Sequence, residues 1–520
     1  MNYYTIKNFK KLDNIFFKIL NSNYASWRTY CISNLQFIKP HPEYFIKYKY
    51  YLSKNFFNLT FFLIGCFFNL LLRVLKWFIR KSEDIFFNIL NLSNNNINEK
   101  KTDIVFITSI VNSNTLNVRK NTNNDFIFGN IIKHLRTRYK VKVIYLNLTR
   151  VNSKKIFNIL KNNKEIYILD KILSFKDELN ILKNQFIELF NLLSNLPISE
   201  VKIKKFLLIL IDIFSYETRN NFKIRLQINK LIKSFKPSLV TLSFEGNCWE
   251  KNVFKSCKDL ERETQCKTIG YQHAGIINYQ TVINHYYKKN FNPDFIITSG
   301  KNNMKYFSRF LRKDKKKNKR KIFEIGSNRY FKNKGRKILF NKTDNILVLP
   351  EGTYEETKIL FDLSVDLAKK YNKKNFILRT HPQINIDHFS KNFFLFKKHK
   401  NLENLIFSNE SFEADLNRSN IVIYRGSTGV ITAILKGLIP IYFKQANEYL
   451  NLDPLFNLKK FRQHMKRTND LKKILNNRKG KLNEYKSAKI FCSNYFTPQK
   501  SSKTLSIFKK IMEINLKLNI

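Results

Sequence analysis

The stretch VIYRGSTGVITAILKGLIPIYF, from Val422 to Phe443, restricts the fold more than any other part of this 520-residue chain. It reads as an apolar strand, a tight polar turn, a helix, a Gly-X-X-Pro break and a second apolar strand. The turn Arg425-Gly426-Ser427-Thr428-Gly429 lies between a buried strand and a helix. Such a turn offers free backbone N–H groups and hydroxyls at the positive end of a helix, which suits a phosphate.

The same alternation recurs along the chain. DIVFITSI, from Asp103, is a strand, DFIFGNIIKHLRTRY a helix and KVKVIYLNL a strand. Long helical stretches are expected from Lys154 to Lys236. PSLVTLSFEG (Pro237 to Gly246), CKTIGYQHAG and PDFIITSG are strands ending in polar loops. A second series begins at DNILVLPEGTYEE (Asp344 to Glu356). It continues through NFILRTHPQ (Asn375 to Gln383), NLIFSN and the helix SFEADLNRS. From Asn451 the chain reads as mostly helical and basic.

Strands alternating with helices predict parallel sheets with functional loops at the strand carboxyl ends. The fold class is therefore α/β and GT-B-like: two Rossmann-like domains facing a cleft, with a helical, basic amino-terminal extension. The expected boundaries are 1–100 for that extension, 101–330 for an acceptor domain, 331–475 for a nucleotide-sugar domain and 476–520 for a helical tail.

Hydrophobic residues at 43% and aromatics at 15% exclude a disordered polycation. The net charge is +55, from 94 Lys and Arg against 39 Asp and Glu. That excess suits polyanionic partners, but it is spread along the chain beside abundant Asn, Ile and Phe, so biased base composition accounts for most of it and no nucleic-acid module is required. The run from Arg312 to Lys321, with eight basic residues in ten, reads as a solvated loop, a role in guiding anions being the alternative. Six cysteines make no disulfide framework; Cys248, Cys257 and Cys266 lie nine apart, without a CxxC pair or ligand-spaced histidine, so no metal site is expected.

One amino-terminal segment, Asn55 to Leu72, has 18 uncharged residues followed by RVLKWFIRK. It is either a membrane-contacting helix lying in or dipping into an anionic surface, or a buried core helix.

Four strand ends carry candidate chemistry. In SFEGNCWE, Glu245 can take a proton from an attacking hydroxyl, with Gly246 allowing close approach; the alternative is a first-turn acid on a helix. In YQHAG, His273 is either an acceptor or phosphate contact or a satisfied loop histidine. In LRTHPQ, Arg379 and His381 are expected on one side of a strand that Pro382 stops, His381 donating to a leaving phosphate oxygen. The fourth is the turn from Arg425 to Gly429.

These motifs, in this order, resemble bacterial GT-B sialyltransferases and Kdo transferases. FEGNCWEK, YQHAG, LPEG, RTHP and YRGSTG…GLIPIYF…LDPL resemble still more closely a family of bacterial surface-carbohydrate biosynthesis proteins of O-antigen and capsule loci. The resemblance covers about Asp103 to Phe456. It implies a metal-independent, inverting glycosyltransferase using a nucleotide-sugar, CMP-linked in the sialyl-like case, as substrate and needing no cofactor.

On that resemblance Glu245 is the base, while His381, Pro382, Ser427 and Thr428 bind the donor phosphate. Phe244 departs from the sialyltransferase pattern, which has a second acid there. Glu351 and Gly352 of PEG offer another Glu-Gly, so either Glu245 or Glu351 is the base, and Glu410 or Glu413 is the expected ribose ligand. The acceptor would be a lipid-linked or oligosaccharide glycan for lipopolysaccharide, O-antigen or capsule at the cytoplasmic face of an inner membrane, or in the cytoplasm. The rivals are a teichoic-type glycerol- or ribitol-phosphate transferase and a non-enzymatic polyanion-binding protein.

Overall fold

The computed structural model describes residues 102–110, 125–147, 166–169, 173, 175–195, 216–245, 247–276, 292–311, 322–331, 345–352, 354–382, 384, 402–445, 452–476 and 482–518. The expected extension at 1–100, its 55–72 segment, the basic run 312–321 (Lys321 included) and Gly246 lie outside them. Among the described residues no helix is long and apolar enough to cross a membrane.

The first domain contains strand β1 (Ile104–Ile110), helix α1 (Ile131–Arg136), β2 (Val141–Asn147), β3 (Ile166–Ile168), α2 (Phe175–Asn195) and α3 (Tyr216–Phe235). It continues with β4 (Leu239–Ser243), α4 (Cys248–Asp259), α5 (Glu261–Thr264), β5 (Lys267–Gln272), β6 (Phe295–Thr298), α6 (Lys301–Leu311) and β7 (Ile322–Glu324). Its seven strands lie in the order β3-β2-β1-β4-β5-β6-β7, all parallel.

The second domain contains β8 (Asn345–Leu349), α7 (Tyr354–Lys370), β9 (Asn375–Leu378), β10 (Leu405–Phe407), α8 (Phe412–Asn417), β11 (Ile421–Tyr424), α9 (Gly429–Leu435), β12 (Ile439–Phe443), β13 (Gln463–Met465), α10 (Asp470–Asn476) and α11 (Leu482–Ser493). Its sheet runs β10-β9-β8-β11-β12-β13, again all parallel. Both orders are the Rossmann order, outward from the first strand and then back past it, with switch points between β1 and β4 and between β8 and β11.

Helices cover both faces of each sheet, which is why the strands read as continuous apolar runs. Alternate residues of β1 divide between two cores. Val105 and Ile107 face Ile228, Phe235 and Phe254 of α3 and α4. Ile104 and Phe106 face Ile131 and Leu135 of α1.

The last helix, α12 (Ser501–Leu518), returns to the first domain, where Phe508 and Ile511 are fully buried in that second cluster. The expected tail is thus two helices serving different domains. The crossing segment is hydrogen-bonded along the first sheet: Thr497 N–H donates to the Ser299 carbonyl at 3.0 Å, and Ser327 N–H donates to the Thr497 carbonyl at 2.8 Å.

Several local expectations change. The span from Lys154 to Lys236 contains strand β3, whose three residues pair with β2. The region after Asn451 contains β13, paired with β12. The helix expected from Asp125 begins only at Ile131, because the Asp125 carboxylate accepts the N–H groups of Ile127 and Phe128 at 2.8 and 2.9 Å and folds a turn first. These are short elements fixed by pairing or by one side chain, which periodicity cannot see.

Candidate functional site

Glu245, His273, Glu351, Gly352, Arg379, His381 and the turn from Arg425 to Thr428 follow the carboxyl ends of strands, with Gly429 opening α9 and Glu413 inside α8, and the two sets of loops meet. A Cβ on Gly275, in the loop after β5, would fall well inside van der Waals distance of Thr428 Cγ2 in the loop after β11. Beside that contact, Ile276 N–H donates to Tyr495 Oη at 2.6 Å. The facing edges therefore bring the β4, β5 and β7 loops of one domain to the β8, β9 and β11 loops of the other.

On the first edge, Glu245 Oε1 lies 3.3 Å from His273 Nε2. The histidine is buried and the carboxylate is the more exposed of the two, its side chain 29% accessible. Burial holds His273 below its ordinary pKa; Glu245 pulls it back up, Arg329 pushes it down and Asp125 raises it again. A neutral His273 is the resulting form near neutrality, able to steady Glu245 as a hydrogen-bond donor.

The backbone that presents Glu245 is held by Glu250, three residues into the helix turn. Glu250 Oε2 accepts the N–H groups of Glu245 and Asn247 at 2.9 and 3.0 Å. Its Oε1 accepts Ser243 Oγ–H at 2.5 Å and Asn247 Nδ2–H at 3.1 Å. Burial, then the charge of Glu245, push its pKa up to about 7 against the donated hydrogen bonds.

On the second edge, β9 ends at Leu378, so Arg379 and His381 sit in the loop and not along one side of a strand. They part company there. Arg379 Nη1 donates to Asp415 Oδ2 at 2.8 Å and to the Glu410 carbonyl at 2.7 Å, and its guanidinium packs over the Phe412 ring. Asp415 is fully buried and also takes Arg418 at 2.7 Å.

His381 is half-buried; burial lowers its pKa, Glu351 opposes that and Arg329 adds to it. Arg425 does not serve the turn it begins. It is 3% exposed, ion-paired with Glu356 and close to Tyr442 Oη and the Phe443 carbonyl.

Gly426 has φ +72°, and a Cβ there would lie 2.6 Å from Glu351 Cβ, so the PEG and RGSTG turns pack directly together. Ser427, Thr428 and Gly429 are half-exposed at the start of α9, whose first turn carries no acid. Gly352 is half-buried beside Glu351. Glu413 does not join them: its side chain is 65% exposed and paired with Lys436 at 2.8 Å.

Two residues at this junction went unread in the sequence. Glu250 had a signal, Asn followed three residues later by Glu, the reciprocal capping pattern. Arg329, in GSNRYF, had none. Among the described residues no group of three or more metal-ligating side chains is gathered. A separate cavity of about 410 Å³, lined by Lys301, Met304, Phe323, Lys503 and Ile507, lies along edge strand β7 and not between the domains.

No protein-family model matches the chain, and no curated protein sequence matches it. Solved structures do align. The UDP-GlcNAc 2-epimerase of Methanocaldococcus jannaschii, in complex with UDP-GlcNAc and UDP, does so with a TM-score of 0.45 at 13% identity, over 79% of this chain and 99% of that one. The UDP-GlcNAc 2-epimerase of Neisseria meningitidis, bound to UDP-GlcNAc, gives 0.44 at 13% identity over 79% and 100%. MurG of Acinetobacter baumannii gives 0.42 at 11% over 78% and 99%. The fold assignment rests on the chain's own strand order: two parallel Rossmann-like sheets facing each other, the GT-B arrangement.

Proposed function

We propose that this chain is a glycosyltransferase, moving a sugar from a nucleotide-activated donor to a surface-glycan acceptor. One observation carries the reading. Glu245 with neutral His273 on one domain edge faces His381, Glu351 and the Ser427-Thr428 turn on the other, across a junction where Gly275 touches Thr428.

In this reading the acceptor hydroxyl loses its proton to the Glu245 carboxylate as its oxygen attacks the anomeric carbon. The bond from that carbon to the donor phosphate breaks, and the electron pair leaves with the nucleotide. His381 N–H and the backbone of the Ser427-Thr428 turn stabilise the departing phosphate. Protein groups carry the charge, with no metal and no cofactor required. Attack opposite the leaving group inverts the anomeric centre. Glu351 packs against Gly426 of the RGSTG turn, which supports a place on the donor side, and this reading takes Glu245 as the base.

A CMP-linked donor, a lipid-linked or oligosaccharide acceptor of lipopolysaccharide, O-antigen or capsule, and work at a membrane's cytoplasmic face come with the resemblance in the sequence motifs. The glycerol- or ribitol-phosphate alternative would leave CMP behind as well but put a phosphoalditol on the acceptor.

The test is thermal stabilisation by CMP, CDP, UDP, GDP and ADP, on wild type and His381→Ala. A ligand at about 100 times its Kd stabilises by about 2.7 kcal/mol. A shift with one nucleotide, lost in the variant, supports the reading and names the donor. A folded protein that responds to none of the five sinks it.

A further inference from the structure

The first sheet ends at β7, and the separate cavity follows that free edge. Two helices flank it on opposite faces of the sheet. Tyr306 and Phe307 of α6 pack into the cluster that Ile322 joins, while Phe508 and Ile511 of α12 pack into the one that Phe323 joins. The groove between them holds about 410 Å³, room for a lipid headgroup and the first methylenes of a chain. Its apolar side is made by Met304, Phe323 and Ile507, all half-exposed.

The charge around this groove has one dominant sign. Helix α6 contains no acid, and Lys301, Lys305 and Arg309, four residues apart, form one exposed cationic stripe along it. Lys301 and Lys305 line the groove itself. Helix α12 has four lysines and one acid, Glu513, which lies 3.8 Å from Lys509. Lys503 lines the groove from that side, and Lys510 Nζ lies 5.8 Å from the centre of the Phe323 ring. The acid that lines the groove, Glu324, is already paired with Lys503 and accepts the Thr497 hydroxyl. A second copy of this chain, whose net charge is +55, would bring more cations to the stripe. A nucleic acid would use the lysines but not the apolar side, and Lys510 already sits over the Phe323 ring. An anionic phospholipid uses both, its phosphate meeting the lysines and its methylenes the apolar side chains.

We propose that the groove between α6 and α12 docks this protein on an anionic phospholipid surface. Lys301 and Lys305 take lipid phosphates, and Met304 and Ile507 take the methylenes beneath them. Each lysine at such a surface raises partitioning about fivefold. The site is separate from the domain junction and does not depend on the transfer reading.

Flotation of the full-length protein with phosphatidylcholine vesicles, with and without about one-third phosphatidylglycerol, tests it. The variants are Lys301→Glu with Lys305→Glu, Met304→Ser, and a control of equal charge change, Lys373→Glu with Lys472→Glu, both exposed on the second domain. Circular-dichroism melts confirm that each is folded. Ser506→Glu, which only adds a carboxylate at an exposed position of the groove, replaces the first double variant if that one does not fold. Binding to the anionic vesicles should fall about tenfold or more in the groove double variant and about threefold in Met304→Ser, and stay unchanged in the control. Unchanged binding in the groove variants, or an equal loss in the control, overturns the inference. So does a wild type that binds neither kind of vesicle. Poly(dT) held through the same lysines, with vesicle binding indifferent to Met304→Ser, makes the groove a nucleic-acid contact and overturns it as well. None of these outcomes touches nucleotide binding, so failure here leaves the donor and base assignments standing.

Discussion

The two domains present charge at their facing edges in opposite ways. In the second, the motif arginines are consumed internally: Arg425 is 3% exposed against Glu356, and Arg379 is clamped on fully buried Asp415. What that edge leaves toward the first domain is a half-buried histidine, a hydroxyl-bearing turn and the acid Glu351. The first edge sets its acid against a histidine instead, Glu245 Oε1 lying 3.3 Å from the buried, neutral His273. An arginine inside a phosphate-like motif is therefore no evidence of where its guanidinium points. A buried acid near in space but far along the chain, 69 residues away for Arg425 and 36 for Arg379, decides that, and not the neighbouring glycines.

The comparison breaks or sharpens under four substitutions. The largest effect is expected at Glu245→Gln: sugar transfer should fall about 10²–10⁴-fold while nucleotide binding persists, because only the base is lost. A transfer rate close to wild type would move the base to another acid, Glu351 first.

Next comes Arg425→Ala, which leaves Glu356 buried without its partner and should cost about 3–5 kcal/mol in urea denaturation. The pair of changes Arg425→Met with Glu356→Leu should restore most of that. An Arg425→Ala protein as stable as wild type but unable to bind nucleotide would mean that the second edge uses its arginine after all.

Glu250 sets a pH dependence. Its pKa is raised from 4.5 to about 7, so the fold favours the protonated acid. That advantage is full below 4.5, shrinks as pH rises and is gone above about 7, a span of about 3 kcal/mol. Glu250→Gln should flatten the fall in melting temperature between pH 5 and 8. Parallel profiles for the two proteins would show that Glu250 ionises freely and does not constrain the Glu245 backbone.

The smallest effect is expected at Gly275→Ala, where the new methyl meets Thr428 Cγ2 and should cost about 1–3 kcal/mol. Thr428→Ser, which removes that methyl, should relieve most of the cost. If the two changes are additive in a double-mutant cycle, the domains do not touch there.

Much of the fold was legible because α/β domains repeat one apolar strand–helix unit. IVFITSI, LVTLS and IVIY read as buried strands wherever they stand, and their following loops are where such sheets place function. The three-residue strands β3 and β13 escaped because pairing with a neighbour, and not internal pattern, makes them strands. The site was legible in part. Glu245, His273, His381 and the Ser427-Thr428 turn do gather at the junction. Glu413 does not, since its short exposed helix face pairs it with Lys436.

By itself, then, the sequence determined the alternation, the two-sheet architecture and the strand ends at which polar residues collect, since these follow from local hydrophobic periodicity and turn chemistry. Tertiary structure decided which charges are spent. Glu356 lies 69 residues from Arg425, and Asp415 lies 36 from Arg379. Gly275 meets Thr428 only when two domains close on each other. Ion pairing and desolvation depend on distance in space, and no pattern along the chain encodes that.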